Sequence, residues 1–275
     1  MYHDLLKFAI KTAKKAGKLA LAYQKKGLQI EEKSKNDLVT NADKACEKLI
    51  IAEIMKAHPD HAVIGEESSF IHKTSIKNYA NAKYIWIVDP IDGTTNYAHQ
   101  LKEFGISIGL FKTTNKENSK NFEYLVGELI VGVVNAPAMD EIFYASKDHG
   151  AYLNGKKIHV TKTPKVDHAL FATGFIQETA AQNLPYFTTM MPRCQAIRRL
   201  GAASLDLCYV AAGRFDGYWE FDMKPWDIAA GALIVEEAGG TVTDTNGNQI
   251  DLFGKDIFAS NGKIHQETIK IFQKI

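Results

Sequence analysis

Trp86-Ile87-Val88-Asp89-Pro90-Ile91-Asp92-Gly93-Thr94-Thr95-Asn96-Tyr97 is the stretch on which the reading of this chain turns. It begins inside a run of β-formers, Tyr84 to Val88, that is apolar at successive positions, the pattern of a strand buried on both faces. Such a strand delivers Asp89 and Asp92 at its carboxyl end, where ligands sit in α/β sheets. Pro90 fixes its own φ and pushes Asp89 towards an extended conformation, so the acids are held across a stiff turn with side chains able to converge. Converging carboxylates need a cation. Gly93 lets the backbone approach a ligand, and the Gly93, Thr94 and Thr95 amides can form an anion-binding nest or a helix start. An Asx-rich turn has similar composition, but a turn needs neither two acids nor two hydroxyls in this order. Phosphatases that form an aspartyl-phosphate place two Asp two positions apart before Gly-Thr; these stand three apart, and that signature fails.

The whole chain sets limits on what this site can serve. With 275 residues and 45% hydrophobic composition it can bury a large core as one domain or two closely fused ones. Its 33 basic and 32 acidic side chains nearly cancel, so no long-range field argues for nucleic acid or membrane as the main partner. Cys46, Cys194 and Cys208 are odd in number and lack ligand spacing, which favours a reduced, cytoplasmic location. The opening Met1-Tyr2-His3-Asp4 leads into a Lys-rich amphipathic pattern without an apolar signal core, and no apolar run reaches membrane-spanning length.

Further acids lie in suggestive places. Leu5, Phe8, Ala9, Ala13, Ala16, Ala20 and Tyr23 recur at helical spacing with a lysine face opposite; Asp4 is a possible cap and Gly27 a stop. A strand over 28–31 precedes a helix over 44–57, and Thr40 with Asp43 fits a capping box, so Asp43 reads equally as a structural cap or a site residue. The strand 62–64 runs directly into Gly65-Glu66-Glu67-Ser68, again acids at a strand end, and a cation held by Asp89 and Asp92 needs such extra oxygens. Strands are expected over 104–111 and 124–135, joined by a polar surface insertion from Lys112 to Asn121, then over 141–146, 151–153 and 157–160 with Asn154-Gly155 as a hairpin turn. Beyond residue 162 strands (169–175, 195–198, 215–220, 256–260) alternate with helices (202–212, 228–238, 264–275). This is an α+β chain with a soft boundary between 148 and 165, expressed as an N-terminal metal- and phosphate-binding part over 1–155 and a C-terminal α/β part over 156–275. Asp227 is placed at the N-cap of the helix after Pro225-Trp226, where capping alone explains an Asp; the small residues Ala229, Ala230, Gly231 and Ala232 also allow close approach, so a third carboxylate at a shared site stays open.

The motifs Gly65-Glu66-Glu67-Ser68, Trp86 to Tyr97, and Pro225-Trp226-Asp227-Ile228-Ala229-Ala230-Gly231 with Glu237-Ala238-Gly239-Gly240 resemble those of the inositol monophosphatase family. Asp37-Leu38-Val39-Thr40 with Asp43 extends the resemblance upstream, and Ile197-Arg198-Arg199-Leu200-Gly201 with Asp206-Leu207 is most similar to bacterial members. The resemblance covers nearly the whole chain, in order. It implies a five-layer αβαβα sandwich of the sugar-phosphatase type, a Mg²⁺-dependent, lithium-sensitive phosphomonoesterase, and a homodimer. Carried over by position, Glu66, Asp89 and the Ile91 carbonyl would bind one Mg²⁺, and Asp89, Asp92 and Asp227 a second; a third ion would lie by Glu66. Thr94 with Asp43 would orient or deprotonate the attacking water, the Gly93 and Thr94 amides would hold phosphate, and Asp92, the Ala203 backbone and Glu220 would touch polyol or sugar hydroxyls. Carboxylates and a carbonyl without clustered His or Cys make a hard oxygen site, suited to Mg²⁺ or Mn²⁺ rather than zinc.

The resemblance has two departures at the substrate end. Gly201-Ala202 lacks the hydroxyl that commonly follows the glycine, and the Lys112 to Asn121 insertion is longer than the family pattern. Substrate readings are therefore inositol monophosphate, or another small phosphate ester such as fructose 1,6-bisphosphate, histidinol phosphate or a nucleotide. A regulatory role through the first helix or Arg198 and Arg199, meeting nucleic acid or protein, is the reading from a different class. The acid set argues against a purely non-catalytic role, because like charges gathered without a metal repel.

Overall fold

The computed structural model describes residues 2–34, 37–68, 79, 82–114, 126–175 and 180–275. Residues 115–121 of the expected insertion lie outside the described residues. In helix α1 (His3–Lys26), Ala9, Ala13, Ala16 and Ala20 are fully buried while Lys7, Lys11, Lys14 and Lys18 are exposed, as an amphipathic pattern requires. Asp4 is not its cap: Tyr2 takes that position without a side-chain bond, and Asp4 lies within the first turn. Strands β1 (Ile30–Ser34) and β2 (Asp37–Thr40) form an antiparallel ribbon, and Thr40 then caps α2 (Asn41–Ala57) in the expected box with Asp43.

A seven-stranded sheet follows in the order β3 (Ala62–Gly65), β4 (Tyr84–Asp92), β5 (Gly105–Thr113), β6 (Gly127–Ala136), β7 (Glu141–Ser146), β8 (Ala151–Leu153) and β9 (Lys156–Ile158). Among the described residues β3 and β4 pair in parallel, and the remaining neighbours pair antiparallel as a meander. The short helix α3 (Thr94–Ala98) follows β4 directly. A second, five-stranded sheet contains β10 (Leu170–Thr173), β11 (Ala196–Arg198), β12 (Gly217–Phe221), β13 (Thr241–Thr243) and β14 (Asp256–Ser260) in the order β11-β10-β12-β14-β13. Four helices accompany it: α4 (Ala180–Met190), α5 (Ala203–Ala211), α6 (Pro225–Glu237) and α7 (His265–Phe272).

Three hydrophobic clusters define the layers. One joins α1 and α2 to one face of the large sheet through residues such as Ala16, Ile50, Trp86 and Ile108. The largest places α5 and α6 between the two sheets, with Ile87, Val134, Leu207, Ile234 and Tyr218 in contact. The third packs α4 and α7 on the outer face of the small sheet around Phe171, Trp219 and Phe272. The result is the αβαβα sandwich. The small residues of α6 allow its close seating: a Cβ on Gly132 of β6 would stand 2.6 Å from the Ala230 carbonyl oxygen. Among the described residues no helix is long and apolar enough to cross a membrane.

A buried histidine in the outer layer makes acid sensitivity an expected property of this fold. His265 is 2% exposed, with Nδ1 against Ser260 Oγ at 2.8 Å and Nε2 against Thr243 Oγ1 at 3.0 Å. Burial pulls its pKa down to about 4. Unfolded histidine titrates near 6.5, so the native form binds fewer protons; the contribution is complete above about 6.5 and is lost as pH falls through about 4, with a ceiling on the order of 3 kcal/mol. Urea unfolding between pH 7 and pH 4.5 is expected to show a steeper acid loss for the wild type than for His265→Gln, and identical slopes would refute this.

Candidate active site

The site forms where β3 and β4 end, and backbone geometry fixes each acid. Strand β4 continues beyond Val88 to Asp92, through Pro90, with a register shift against β5 between Asp89 and Asp92. The acids thus stand on an irregular strand end rather than across a separate turn, and the irregularity tolerates the missing N–H of proline. Asp89 is 2% exposed, and its Oδ1 accepts the Ile91 N–H at 2.9 Å. Asp92 is 8% exposed; its Oδ2 accepts the Ser204 N–H at 2.7 Å and the Ser204 hydroxyl at 2.5 Å. Asp227 is half-buried at the third residue of α6, not at its N-cap, and its Oδ2 accepts the Lys224 N–H at 2.8 Å. Pro225 at the first helical position moves the cap back to Lys224.

Long-range bonds bring these pieces together. Ser107 pairs opposite Asp89 on β5, and its hydroxyl donates to the Trp226 carbonyl at 3.1 Å, tying the start of α6 to the strand that carries Asp89. Asn96 in α3 donates to the carbonyls of Glu103 at 2.7 Å and Leu200 at 2.8 Å, drawing the Gly201-Ala202 approach to α5 against Gly93. Gly93 has φ 86°, the left-handed region, and a Cβ there would meet the Glu103 oxygen at 2.9 Å and the Ala202 Cβ at 3.1 Å. Glu66 opens a helical turn directly after β3. Glu47, one turn beyond Asp43 on α2, is buried and accepts the N–H groups of Glu67 and Ser68, both at 2.8 Å. A Cβ on Gly65 would stand 2.5 Å from Glu47 Oε2, so this seat requires the glycine.

The electrostatics identify the centre. Burial, then the charges of Glu66, Asp92, Asp227 and Asp43, push the Asp89 carboxyl well above the ordinary aspartate range. Asp92 is raised by burial while its Ser204 bonds pull the other way, and Asp227 is raised by burial and then by Asp92. Asp227 retains some solvent contact, whereas Asp89 is buried. The acids are neighbours rather than a closed cage: among the described residues no three His, Cys, Asp or Glu side chains are grouped as tightly as the ligands of a metal. The charge of each acid bears on another's pKa, so they lie in one neighbourhood, and side-chain rotation alters oxygen positions without moving the backbone. In Asp89 and Asp227 a backbone amide fixes one oxygen, and the other makes no hydrogen bond to the described residues. Hard oxygen donors with one anchored and one free atom fit a small divalent cation.

Asp43 is fully buried and keeps its cap function: its Oδ2 accepts the Thr40 N–H at 2.9 Å and hydroxyl at 2.5 Å. Its Oδ1 faces Thr94 Oγ1 at 3.3 Å, and the same hydroxyl lies 3.0 Å from the Ile91 carbonyl. The capping bonds and the contact with Thr94 therefore use different oxygens of one carboxylate. Ala203 opens α5 with its backbone against Asp92, and Glu220 lies buried on β12, where it feels the Asp92 charge. Burial pushes Glu220 up to about 7. Glu47, Ser107 and Ser204 are structural partners the sequence reading missed; of these only Glu47, four residues after Asp43 on one helix face, had a local signal.

By its family the chain is a phosphatase, built on an αβαβα sandwich. The chain belongs to the inositol monophosphatase family, whose model matches residues 1–275. It is 38% identical over 276 residues to the Nus factor SuhB of Pseudomonas aeruginosa, covering 98% of this chain and 96% of that protein. It is 35% identical over 273 residues to a fructose-1,6-bisphosphatase/inositol-1-monophosphatase of Thermotoga maritima, covering 99% and 97%. Among solved structures, the extragenic suppressor protein SuhB of Bartonella henselae superposes with a TM-score of 0.85 at 33% identity, covering 98% of this chain and 99% of that one.

Proposed function

We propose that the protein hydrolyses inositol monophosphate to inositol and phosphate with Mg²⁺, Mn²⁺ being an alternative. The observation that supports this most is the convergence of Glu66, Asp92, Asp227 and Asp43 on buried Asp89, beside the Gly93-Thr94 turn. Glu66, Asp89 and the Ile91 carbonyl would hold one ion, Asp89, Asp92 and Asp227 another, with a third near Glu66. When bound, such ions lower the pKa of water, neutralise phosphate charge and steady the leaving oxygen. Thr94 and Asp43 orient the attacking water and accept its proton, the Gly93 and Thr94 amides hold phosphate, and Asp92, the Ala203 backbone and Glu220 meet the hydroxyls of the leaving alcohol. A homodimer in the cytoplasm goes with this reading, as does the division of the chain at residues 155/156. The test is phosphate release from inositol 1-phosphate, fructose 1,6-bisphosphate, histidinol phosphate and a nucleotide, each with Mg²⁺, with Mn²⁺ and with added lithium. A much higher kcat/KM for another ester would replace inositol monophosphate as substrate.

Glu47 provides an independent check on the metal reading. Glu47→Gln leaves a single acceptor oxygen for two amide donors, and a looser Glu66 should weaken Mg²⁺ binding by about tenfold, as read by calorimetry and by the Mg²⁺ level that half-activates turnover. Unchanged Mg²⁺ affinity in a folded variant would remove Glu47 from this role. The 38% identity to a Nus factor favours a second reading, a regulatory contact with protein or nucleic acid through the exposed lysines of α1 or through exposed Arg198 and Arg199. A pull-down in which charge reversal at Lys7, Lys11, Lys14 and Arg198 changes nothing would discard it.

A further inference from the structure

Asp206 lies on α5 with no exposed surface, and neither of its carboxyl oxygens has a hydrogen-bond partner among the described residues. Apart from the Thr12 hydroxyl, no other buried side-chain oxygen or nitrogen among those residues is left this way. A buried polar group without a partner is costly, and a buried charge more so, so a core position gives no reason for an acid here. The surroundings do give one. Ala203, one turn earlier on the same helix face, sets its backbone against Asp92, and Ser204 between them holds the same carboxylate. Tyr218 and Glu220 alternate onto one face of β12, and the Tyr218 hydroxyl donates to Glu220 Oε2. The Glu220 carboxyl lies against Gly174, where a Cβ would stand 2.0 Å from its Oε1.

These groups sense one another. Burial, then Glu220 and Asp92, raise Asp206 well above the aspartate range, and burial, then Glu220 and Asp206, raise Tyr218. The Arg199 guanidinium acts oppositely on both Asp206 and Glu220. We propose that Asp206 is a positioning residue for recognition of substrate hydroxyls: it accepts hydrogen bonds from buried water shared with Glu220 and so fixes the carboxylate that meets the leaving alcohol. Two carboxyl groups and a phenol supply the several polar partners that a buried water requires. Asp206, with no surface of its own, acts through Glu220 and does not touch substrate. The inference rests on the reading in which Glu220 contacts those hydroxyls.

The test compares full-length wild type, Asp206→Ala, Asp206→Asn and Gly174→Ala on inositol 1-phosphate and on p-nitrophenyl phosphate, an ester with no hydroxyl for Glu220 to hold. Asp206→Ala is expected to lower kcat/KM for inositol 1-phosphate about tenfold, mainly through KM, and to leave the aryl ester within about twofold. Asp206→Asn, which keeps an acceptor oxygen, recovers most of the loss. Gly174→Ala crowds the Glu220 carboxyl directly and gives the same signature with Asp206 unchanged. Equal losses on both esters, or no loss on either with Asp206→Ala, overturn the proposal. A wild type that cleaves the aryl ester but not inositol 1-phosphate overturns only the inositol reading, and the hydroxylated ester it cleaves best then takes that place in the comparison.

Discussion

Asp89→Asn is expected to lower phosphate release by about a thousandfold or more while raising the thermal stability of the metal-free protein. The first effect follows from removing the charge on which the other acids converge, since metal assistance supplies several kcal/mol to the transition state and each 1.36 kcal/mol is tenfold in rate. The second follows from the same crowding: Asp89 is buried, and Glu66, Asp92, Asp227 and Asp43 all disfavour its charge. Asparagine preserves the acceptor for the Ile91 amide and removes the repulsion, worth about 1 kcal/mol or more, or roughly 2–4 °C in Tm for a chain of this size. Mg²⁺ should raise the melting temperature of the wild type and have much less effect on the variant, because a ligand stabilises only what binds it. Melting curves of EDTA-treated protein with and without Mg²⁺ read both quantities. Retained turnover, or equal stabilisation by Mg²⁺ in both proteins, would sink the metal assignment.

The centre of this fold was readable because it is locally consistent. Ile85, Trp86, Ile87 and Val88 are buried as a doubly apolar strand demands, and the Thr40–Asp43 box caps α2 as its spacing predicts. The apolar run ends at Val88, but the strand does not: the irregular pairing with β5 carries it past Pro90 to Asp92. Helix α4 was missed, since Pro185 interrupts its pattern. The ribbon strand β2 and the three-residue β13 carry too few apolar residues to register by periodicity. The site divides the same way. Acids at strand ends carry a signal in their immediate neighbours, whereas Ser107, Ser204 and Asp206 owe their places to contacts across more than a hundred residues or to the packing of α5 on β12, which no local pattern records.

Removing the Thr94 hydroxyl is expected to separate catalysis from stability in a way that removing the Asp43 charge cannot. Thr94→Val deletes the group lying 3.3 Å from Asp43 Oδ1 and 3.0 Å from the Ile91 carbonyl, without disturbing the cap of α2. If the pair positions and deprotonates the attacking water, turnover should fall by about 10²–10³ with KM little changed, and Thr94→Ser should restore it. Asp43→Asn should lose a comparable factor in rate and, because Asp43 Oδ2 also holds the Thr40 amide and hydroxyl, about 1 kcal/mol of stability as well. The double variant then decides whether the two act as a unit. Groups that serve one proton transfer are strongly non-additive, so its rate should be no lower than that of the worse single variant. Losses that multiply in full would show that Thr94 and Asp43 act independently, and would leave Asp43 a cap that happens to face the site.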